Sequence, residues 1–215
     1  MKLRRILALA TLALAPLAAN ATLTTLTAPW PPTGSSGLDG VEFNVQTNDA
    51  AGVMVAMGAH PYKNGATMPN DGISTFYAPS GIYAADGLGR ANWSFDFAWN
   101  LGTGCGSCKV VLSVDQDPSS AIDYVLNDQM KASFGSSYAE SWNLTMGFIP
   151  FTFDPFSASD TNFLLQVLDA DGAVMVESGI RVLVGSNSVP EPGNLALAGL
   201  GLAAAAFARR RVLRK

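Results

Sequence analysis

Cys105 and Cys108 are the only cysteines in the chain, and they are separated by Gly106 and Ser107. A redox-active pair with this spacing needs its first thiolate at a helix N-terminus, where the helix dipole favours the charged form. Here glycines surround the pair and a strand pattern follows. In an oxidising compartment such a pair closes into a disulfide. We therefore predict a structural disulfide across a hairpin turn, with a redox role as the alternative.

Two short acidic stretches have the side chains that calcium prefers. Calcium binds six to eight oxygens, often from loops of this kind. Neither stretch follows the twelve-residue EF-hand pattern, so we favour hydrated turns at strand ends, and a calcium site is the alternative interpretation. We therefore expect no cofactor; in the alternative, the residues that would hold calcium are Asp115, Asp117, Asp169 and Asp171.

His60 is the only histidine, so a Ser-His-Asp or Cys-His catalytic site would have to use it. No G-x-S-x-G elbow is present. Since His60 stands beside Pro61 in a stretch rich in glycine and proline, we predict a surface loop residue. The only glutamates before the C-terminal segment are Glu42, Glu140 and Glu177, and nothing singles out a carboxylate pair for glycoside hydrolysis. We predict that the protein is not an enzyme.

The clearest structural element that could position such residues is an aromatic strand. Trp93, Phe95, Phe97 and Trp99 alternate with smaller or polar residues, as in a β-strand with one aromatic face. That face is either buried in a core or displayed for binding. The alternation of Val110, Leu112 and Val114 predicts the partner strand across the turn 102–108.

Further alternating segments at short intervals predict about nine strands. An antiparallel two-sheet sandwich, Ig-like or jelly-roll, is the fold class that such a pattern favours. Segment 122–130 is ambiguous, because Ile122, Val125, Leu126 and Met130 have helical spacing between strands; we favour a short helix or an irregular excursion there. The other predicted strands contain residues 41–45, 53–58, 75–77, 142–146, 163–167, 174–177 and 180–184.

The first 21 residues have the layout of a secretory signal peptide. Lys2, Arg4 and Arg5 precede an apolar run, and Ala19-Asn20-Ala21 is a small-residue cleavage site. We therefore expect delivery through the secretion translocon, with the mature chain starting at Thr22.

The C-terminal segment has three parts in fixed order: an extended proline-rich motif, a short apolar span of residues 194–208, and a basic cluster. The basic cluster is predicted to stay on the cytoplasmic side of the inner membrane, leaving the body outside. An ordinary membrane anchor is the alternative. However, fifteen helical residues cover only about 22 Å of a hydrocarbon core of about 30 Å, which suits a temporary anchor. The motif residues are Val189, Pro190, Glu191 and Pro192, and the stop-transfer residues are Arg209, Arg210 and Arg211.

This arrangement resembles the PEP-CTERM sorting signal of exported bacterial proteins, and the resemblance covers only the last 27 or so residues. It implies recognition by an exosortase, a membrane-embedded cysteine-protease-like enzyme that cuts near Pro190-Glu191-Pro192. It also implies a setting, because the family is associated with bacteria that make extracellular polysaccharide. The resemblance implies no activity for the body of the chain.

The predicted organisation is a β-sandwich flanked by a signal peptide and a C-terminal hydrophobic helix. Its parts are a signal peptide (1–21), a leader or edge segment (22–40), the β-sandwich (41–185), a linker with the motif (186–193), the transmembrane sorting helix (194–208) and a basic cytoplasmic tail (209–215).

The formal charge of the whole chain, −4, conceals an acidic body. Residues 22–188 contain five basic and sixteen acidic residues, which leaves −11. Such a body is not expected to bind nucleic acid. We expect an exported protein, transiently anchored in the membrane and then at the cell surface or outside the cell, with a structural or adhesive role in an exopolysaccharide matrix. The alternatives are a carbohydrate-binding module, with or without the assistance of calcium, and a secreted hydrolase.

Overall fold

The structure is a computed structural model and describes residues 22–26, 38, 40–63, 67–103 and 105–185. Two five-stranded sheets pack face to face, with strand orders β1-β2-β3-β5-β8 and β4-β10-β9-β6-β7. All pairs are antiparallel except β4 with β10. This confirms the predicted all-β sandwich. The strands are β1 (Thr24–Thr25), β2 (Glu42–Asn48), β3 (Val53–Pro61), β4 (Thr75–Ala78), β5 (Trp93–Asn100), β6 (Lys109–Asp115), β7 (Tyr124–Asn127), β8 (Ser137–Trp142), β9 (Ser159–Leu168) and β10 (Val174–Val184).

Two short helices interrupt the strands in the described part of the chain: a 3₁₀ turn at Ala84–Asp86 and the helix α1 at Met130–Phe134. The helix α1 lies on the return from β7 in the second sheet to β8 in the first. Its first residue, Met130, is fully buried in the core. Its last residue, Phe134, packs against Trp99 and Tyr138, so both ends of the helix are held against the sandwich.

The aromatic face of β5 fills the space between the sheets. Its four rings are buried, and Phe95 stacks on Phe163 of β9 with ring centroids 4.5 Å apart. Phe97 meets Trp142 of β8 edge-on at 4.8 Å. Of the two outcomes that the sequence allowed for this face, the structure therefore shows the buried core.

A second, smaller apolar cluster covers the opposite face of the first sheet. It contains Phe43, Ala56, Ala98 and Ala139, with Leu38 and Leu26 from the segment that precedes β2. Small residues on the central strands leave room for these larger side chains. Both faces of β3 and β5 are consequently buried, which explains why His60 and Asp96, on the outer face, lie inside the protein.

The predicted pairing of β5 with β6 is wrong. The two strands belong to different sheets, and β5 instead pairs with β3 and β8, which occupy both of its edges. The strand β6 pairs with β7 and β9. The segment that contains Cys105 and Cys108 is thus a connection between the two sheets and not a hairpin turn.

Three strand boundaries also differ from prediction. Residues 124–127 of the segment 122–130 form the edge strand β7, so the helix favoured there is wrong, although α1 begins at Met130. Trp142 ends β8 and does not start a strand. The strands predicted at 174–177 and 180–184 are one continuous strand, β10.

Candidate functional site

The cysteine pair lies in a compact loop at the point where the chain crosses between the sheets. Cys105 and Cys108 are at disulfide distance, with Cα atoms 5.2 Å apart, and both side chains are buried. The sulfur atoms contact the thioether of Met175 on β10, 3.3 Å from Cys108 Sγ. Because the strand β6 follows the pair, the helix N-terminus that a redox site would use is not present next to these cysteines.

Lys131 closes this loop from the side of α1. Its ammonium group donates to three backbone carbonyl oxygens, those of Cys105 at 3.1 Å, Gly106 at 2.7 Å and Cys108 at 3.0 Å. An ammonium group has three N–H donors, so each has an acceptor. No pattern in the sequence pointed to Lys131, because the contact joins residues more than twenty positions apart.

The two acidic stretches lie at opposite ends of the second sheet. Asp115 ends β6, whereas Asp169 follows Leu168, which pairs with Lys109 at the start of β6. The length of β6, roughly 20 Å, separates them. The four aspartates considered as alternative calcium ligands are therefore not brought together in one site.

Both stretches use their carboxylates to hold their own turns. Oδ1 of Asp115 accepts from the backbone N–H groups of Asp117 and Asp123, and Oδ1 of Asp169 accepts from those of Asp171 and Ala173. In the segments that the structure covers, no three His, Cys, Asp or Glu side chains are grouped as a metal site requires.

A cleft of about 190 Å³ lies beside the first acidic stretch, and Asp115, Asp117 and Asp154 are among its lining residues. The backbone N–H of Ser119 lowers the pKa of Asp117. The hydroxyl of Ser157 and the backbone N–H of Phe156 do the same for Asp154. A general acid in glycoside hydrolysis needs the opposite shift.

His60 lies in β3 and is buried, so the prediction of a surface loop histidine is wrong. Its Nδ1 is hydrogen-bonded to Oδ2 of Asp96 on β5 at 2.8 Å, and Asp96 is completely buried. Among the described residues, Oδ1 of Asp96 has no hydrogen-bond partner. The sequence contained one sign of this pair: an aspartate in the middle of a central, buried strand needs a partner.

The His60–Asp96 pair holds protons more tightly than the free side chains would. Burial lowers the pKa of His60, but the hydrogen bond and charge of Asp96 outweigh burial and raise it above 6.5. Complete burial raises the pKa of Asp96, and the hydrogen bond and charge of His60 only partly oppose that rise. A His-Asp pair orients imidazole for base catalysis, but catalysis also requires a nucleophile. In the described ranges, the hydrogen bonds of the His60 ring involve Asp96 alone.

A second cleft, of about 290 Å³, opens at the edge of the sandwich between β7, β8 and the loop after β8. Trp142 and Phe148 meet edge-on in its wall, with centroids 4.9 Å apart, and Phe148 is 59% exposed. The rim has three consecutive polar residues, Asn127, Asp128 and Gln129. Such a combination of apolar walls and a few polar groups is typical of small-molecule sites. Sequence reasoning missed Phe148, because nothing local distinguishes it from a core residue.

The predicted sorting residues lie outside the described residues. These are Val189, Pro190, Glu191 and Pro192 of the motif, the apolar span 194–208, and Arg209, Arg210 and Arg211. Across the ranges that the structure describes, no helix has the length and apolar character needed to cross a membrane.

Comparison with known proteins identifies one segment of the chain. Residues 188–211 match the PEP-CTERM protein-sorting motif. No curated protein and no solved structure matches the chain. The motif implies export, transient anchoring in the membrane and processing by an exosortase. The chain therefore carries, at residues 188–211, the PEP-CTERM protein-sorting motif that its Pro-Glu-Pro triplet, apolar span and arginine cluster predict.

Proposed function

We propose that the β-sandwich is a non-enzymatic domain with a structural or adhesive role in an extracellular polysaccharide matrix, to which the sorting motif delivers it. The observation that carries this proposal is the sorting motif at residues 188–211, which follows an acidic body. Two carboxylates of the acidic cleft are engaged in local structure. Asp117 and Asp154 accept hydrogen bonds from their own turns, and these bonds lower their pKa. These two carboxylates therefore stabilise their own loops.

Two further features support a structural role. The aromatic side chains of β5 are committed to the core and are not displayed. The body has a net charge of −11 over residues 22–188, which keeps it soluble outside the cell and disfavours binding to anionic polymers such as nucleic acid. The partners that fit are the exosortase during sorting and neutral or cation-bridged polysaccharide afterwards.

Co-sedimentation with extracellular polysaccharide tests this proposal. The purified exported protein is mixed with polysaccharide from the producing cells, and both the pelleted protein and the release of reducing ends are measured. We expect protein in the pellet and no release of reducing ends above a buffer blank. Reducing-end release that Asp154→Asn abolishes would instead indicate a hydrolase.

The cleft between β7 and β8 supports a second candidate, a carbohydrate-binding module. Phe148 and Trp142 offer aromatic surface for a sugar ring, and Asn127, Asp128 and Gln129 supply hydrogen-bond donors and acceptors at the rim. Calcium assistance would involve Asp115, Asp117, Asp169 or Asp171, at either end of β6.

A glycan array with and without calcium tests this candidate. Phe148→Ala removes the exposed wall of the cleft, and Phe156→Ala is a matched control, because Phe156 is 68% exposed and is not part of this cleft. We expect Phe148→Ala to abolish binding and Phe156→Ala to preserve it. An array without hits in both conditions contradicts the candidate.

A further inference from the structure

The three hydrogen bonds of Lys131 hold its reactive nitrogen against the cysteine loop. The acceptors are the carbonyl oxygens of Cys105, Gly106 and Cys108, all within 3.1 Å of Nζ. Each N–H that donates to a carbonyl in this way forms a charge-assisted bond, which is stronger than a neutral one. The amine can react with an electrophile only after it loses a proton and turns its lone pair away from these carbonyls.

The positions of the three carbonyl acceptors depend on the disulfide that closes the cysteine loop. The backbone N–H of Cys108 donates to the carbonyl of Cys105 at 3.3 Å, and the two Cα atoms are 5.2 Å apart. A crosslink over only three positions keeps the carbonyls of both cysteines directed to one point. Without the crosslink, a loop that contains Gly106 has many other backbone conformations.

The donor, in contrast, is fixed independently of the loop. Lys131 follows Met130, whose side chain is fully buried in the core and anchors the start of α1. The helix is also closed at its other end by the bond from the N–H of Gly135 to the carbonyl of Lys131. Opening the loop thus removes the acceptors while the lysine stays in place.

We propose that the Cys105–Cys108 loop is a redox-controlled shield for Lys131, which makes this lysine a modification site that is available to amine-directed acyl donors only when the disulfide is reduced. In the reduction, a small dithiol supplies two electrons and two protons. The Sγ–Sγ bond breaks, two thiols form, and the dithiol becomes a cyclic disulfide. Lys131 Nζ then loses one proton to solvent and bonds to the acyl carbon of the donor. The donor's leaving group departs with the electrons of its bond to that carbon, and the nitrogen releases a second proton to give the amide.

Acetylation with an N-hydroxysuccinimide ester measures this shielding directly. The full chain is labelled in mild detergent with and without the dithiol, and the occupancy at each lysine is read by peptide mass spectrometry. Lys109, exposed and next to Cys108, is the matched internal control, and Lys63 is a second one.

In the oxidised protein we expect Lys131 to react about tenfold more slowly than Lys109. Before it reacts, Lys131 must give up one charge-assisted hydrogen bond, and the free energy of that bond corresponds to about a tenfold change in rate. After reduction, its rate should approach that of Lys109, while the rates at Lys63 and Lys109 stay constant. Equal rates at Lys131 and Lys109 in the oxidised protein overturn the proposal, as does a rate at Lys131 that reduction leaves unchanged.

The double variant Cys105→Ser, Cys108→Ser cannot form the disulfide, so its loop is open without a reductant. It should label Lys131 rapidly while its circular dichroism matches that of the oxidised chain. A folded variant that still shields Lys131 contradicts the role of the disulfide. If the variant does not fold, the dithiol-treated natural chain, checked in the same way, still decides the outcome.

Discussion

At the scale of single residues, the His60–Asp96 pair has the largest consequence for stability. Two ionisable groups lie in the interior of the first sheet, 2.8 Å apart, and one carboxylate oxygen has no partner among the described residues. Removing one member of such a pair leaves the other buried alone, which costs roughly 3 kcal/mol or more.

The pair also makes the folding stability depend on pH. Because the pKa of His60 is raised in the folded chain, its stabilising contribution is fully present below about pH 6.5 and is lost as the pH rises through the folded pKa. The raised pKa of Asp96 acts in the same direction, with a contribution that is lost as the pH rises above the ordinary value of 3.8. We expect the free energy of unfolding to fall as the pH rises above about 6.5.

Urea unfolding at a series of pH values tests this, with Asp96→Asn as the variant. The substitution should destabilise the protein and flatten the pH dependence above pH 6. Asp86→Asn is the control, because Asp86 forms an exposed ion pair with Lys63. A slope that is identical in Asp96→Asn and the natural chain would show that other groups cause it.

The sequence alone predicts only one member of this buried pair. Asp96, between Phe95 and Phe97, is visible as a charge that needs a partner, but His60 lies 36 positions away and looked like a loop residue beside Pro61. Pairing of β3 with β5 brings them together, and no local pattern encodes that pairing. The same holds for Lys131 and the cysteine loop.

At the scale of elements, β5 determines the core. Phe97 is fully buried between the sheets and contacts Trp142 and Trp99. We expect Phe97→Ala to lower the free energy of unfolding by about 3–5 kcal/mol, because a large cavity remains. The control Leu126→Ala, on the edge strand β7 where the side chain is 65% exposed, should cost less than about 0.5 kcal/mol. Urea unfolding followed by tryptophan fluorescence measures both, and equal effects would contradict the buried face.

The close contact between β2 and β3 depends on Gly58, which has no side chain. A Cβ at Gly58 would lie 2.6 Å from the backbone oxygen of Glu42. We expect Gly58→Ala to destabilise the protein by about 1–3 kcal/mol through overpacking. At Gly147 a Cβ would meet nothing within 4 Å, so Gly147→Ala should be close to neutral. The midpoints of urea unfolding should differ between the two variants; a neutral Gly58→Ala would mean that β2 can move away freely.

Element types were easier to predict than their neighbours. Alternation identified β2, β5, β6 and β9 because one face of each strand is apolar. It could not show that both edges of β5 are occupied by β3 and β8, since these pairings join distant parts of the chain. In β7, Val125 and Leu126 share a helical spacing with Ile122 and Met130 by coincidence, and tertiary pairing with β6 overrides it.

At the scale of the whole molecule, delivery and fold are separate parts of the chain. The sorting motif matches residues 188–211, and the last described residue, Gly185, directly follows β10. We predict that replacing Pro190-Glu191-Pro192 with alanines leaves uncut protein in the membrane, because the extended, donor-poor backbone that two prolines impose is lost.

Gel mobility of the membrane fraction measures this processing. The control replaces Ser186 and Asn187 with alanine, since both precede the matched residues. It should be processed like the natural chain. Unchanged processing of the triple-alanine variant would show that the triplet is dispensable.

The position of β10 has a mechanical consequence for an anchored protein. The strand pairs with β9 over ten positions and with β4 over four, and the N–H of Gly185 donates to the carbonyl of Ala78. Any tension that the sorting segment transmits enters the domain at Gly185 and runs along the axis of this interior strand. The backbone hydrogen bonds that join β10 to β9 and to β4 then bear the load together in shear. They do not break one after another, as they would if the strand were pulled away sideways from its neighbours. While the tail holds the protein in the membrane, the sandwich is thus pulled at its most strongly clamped strand.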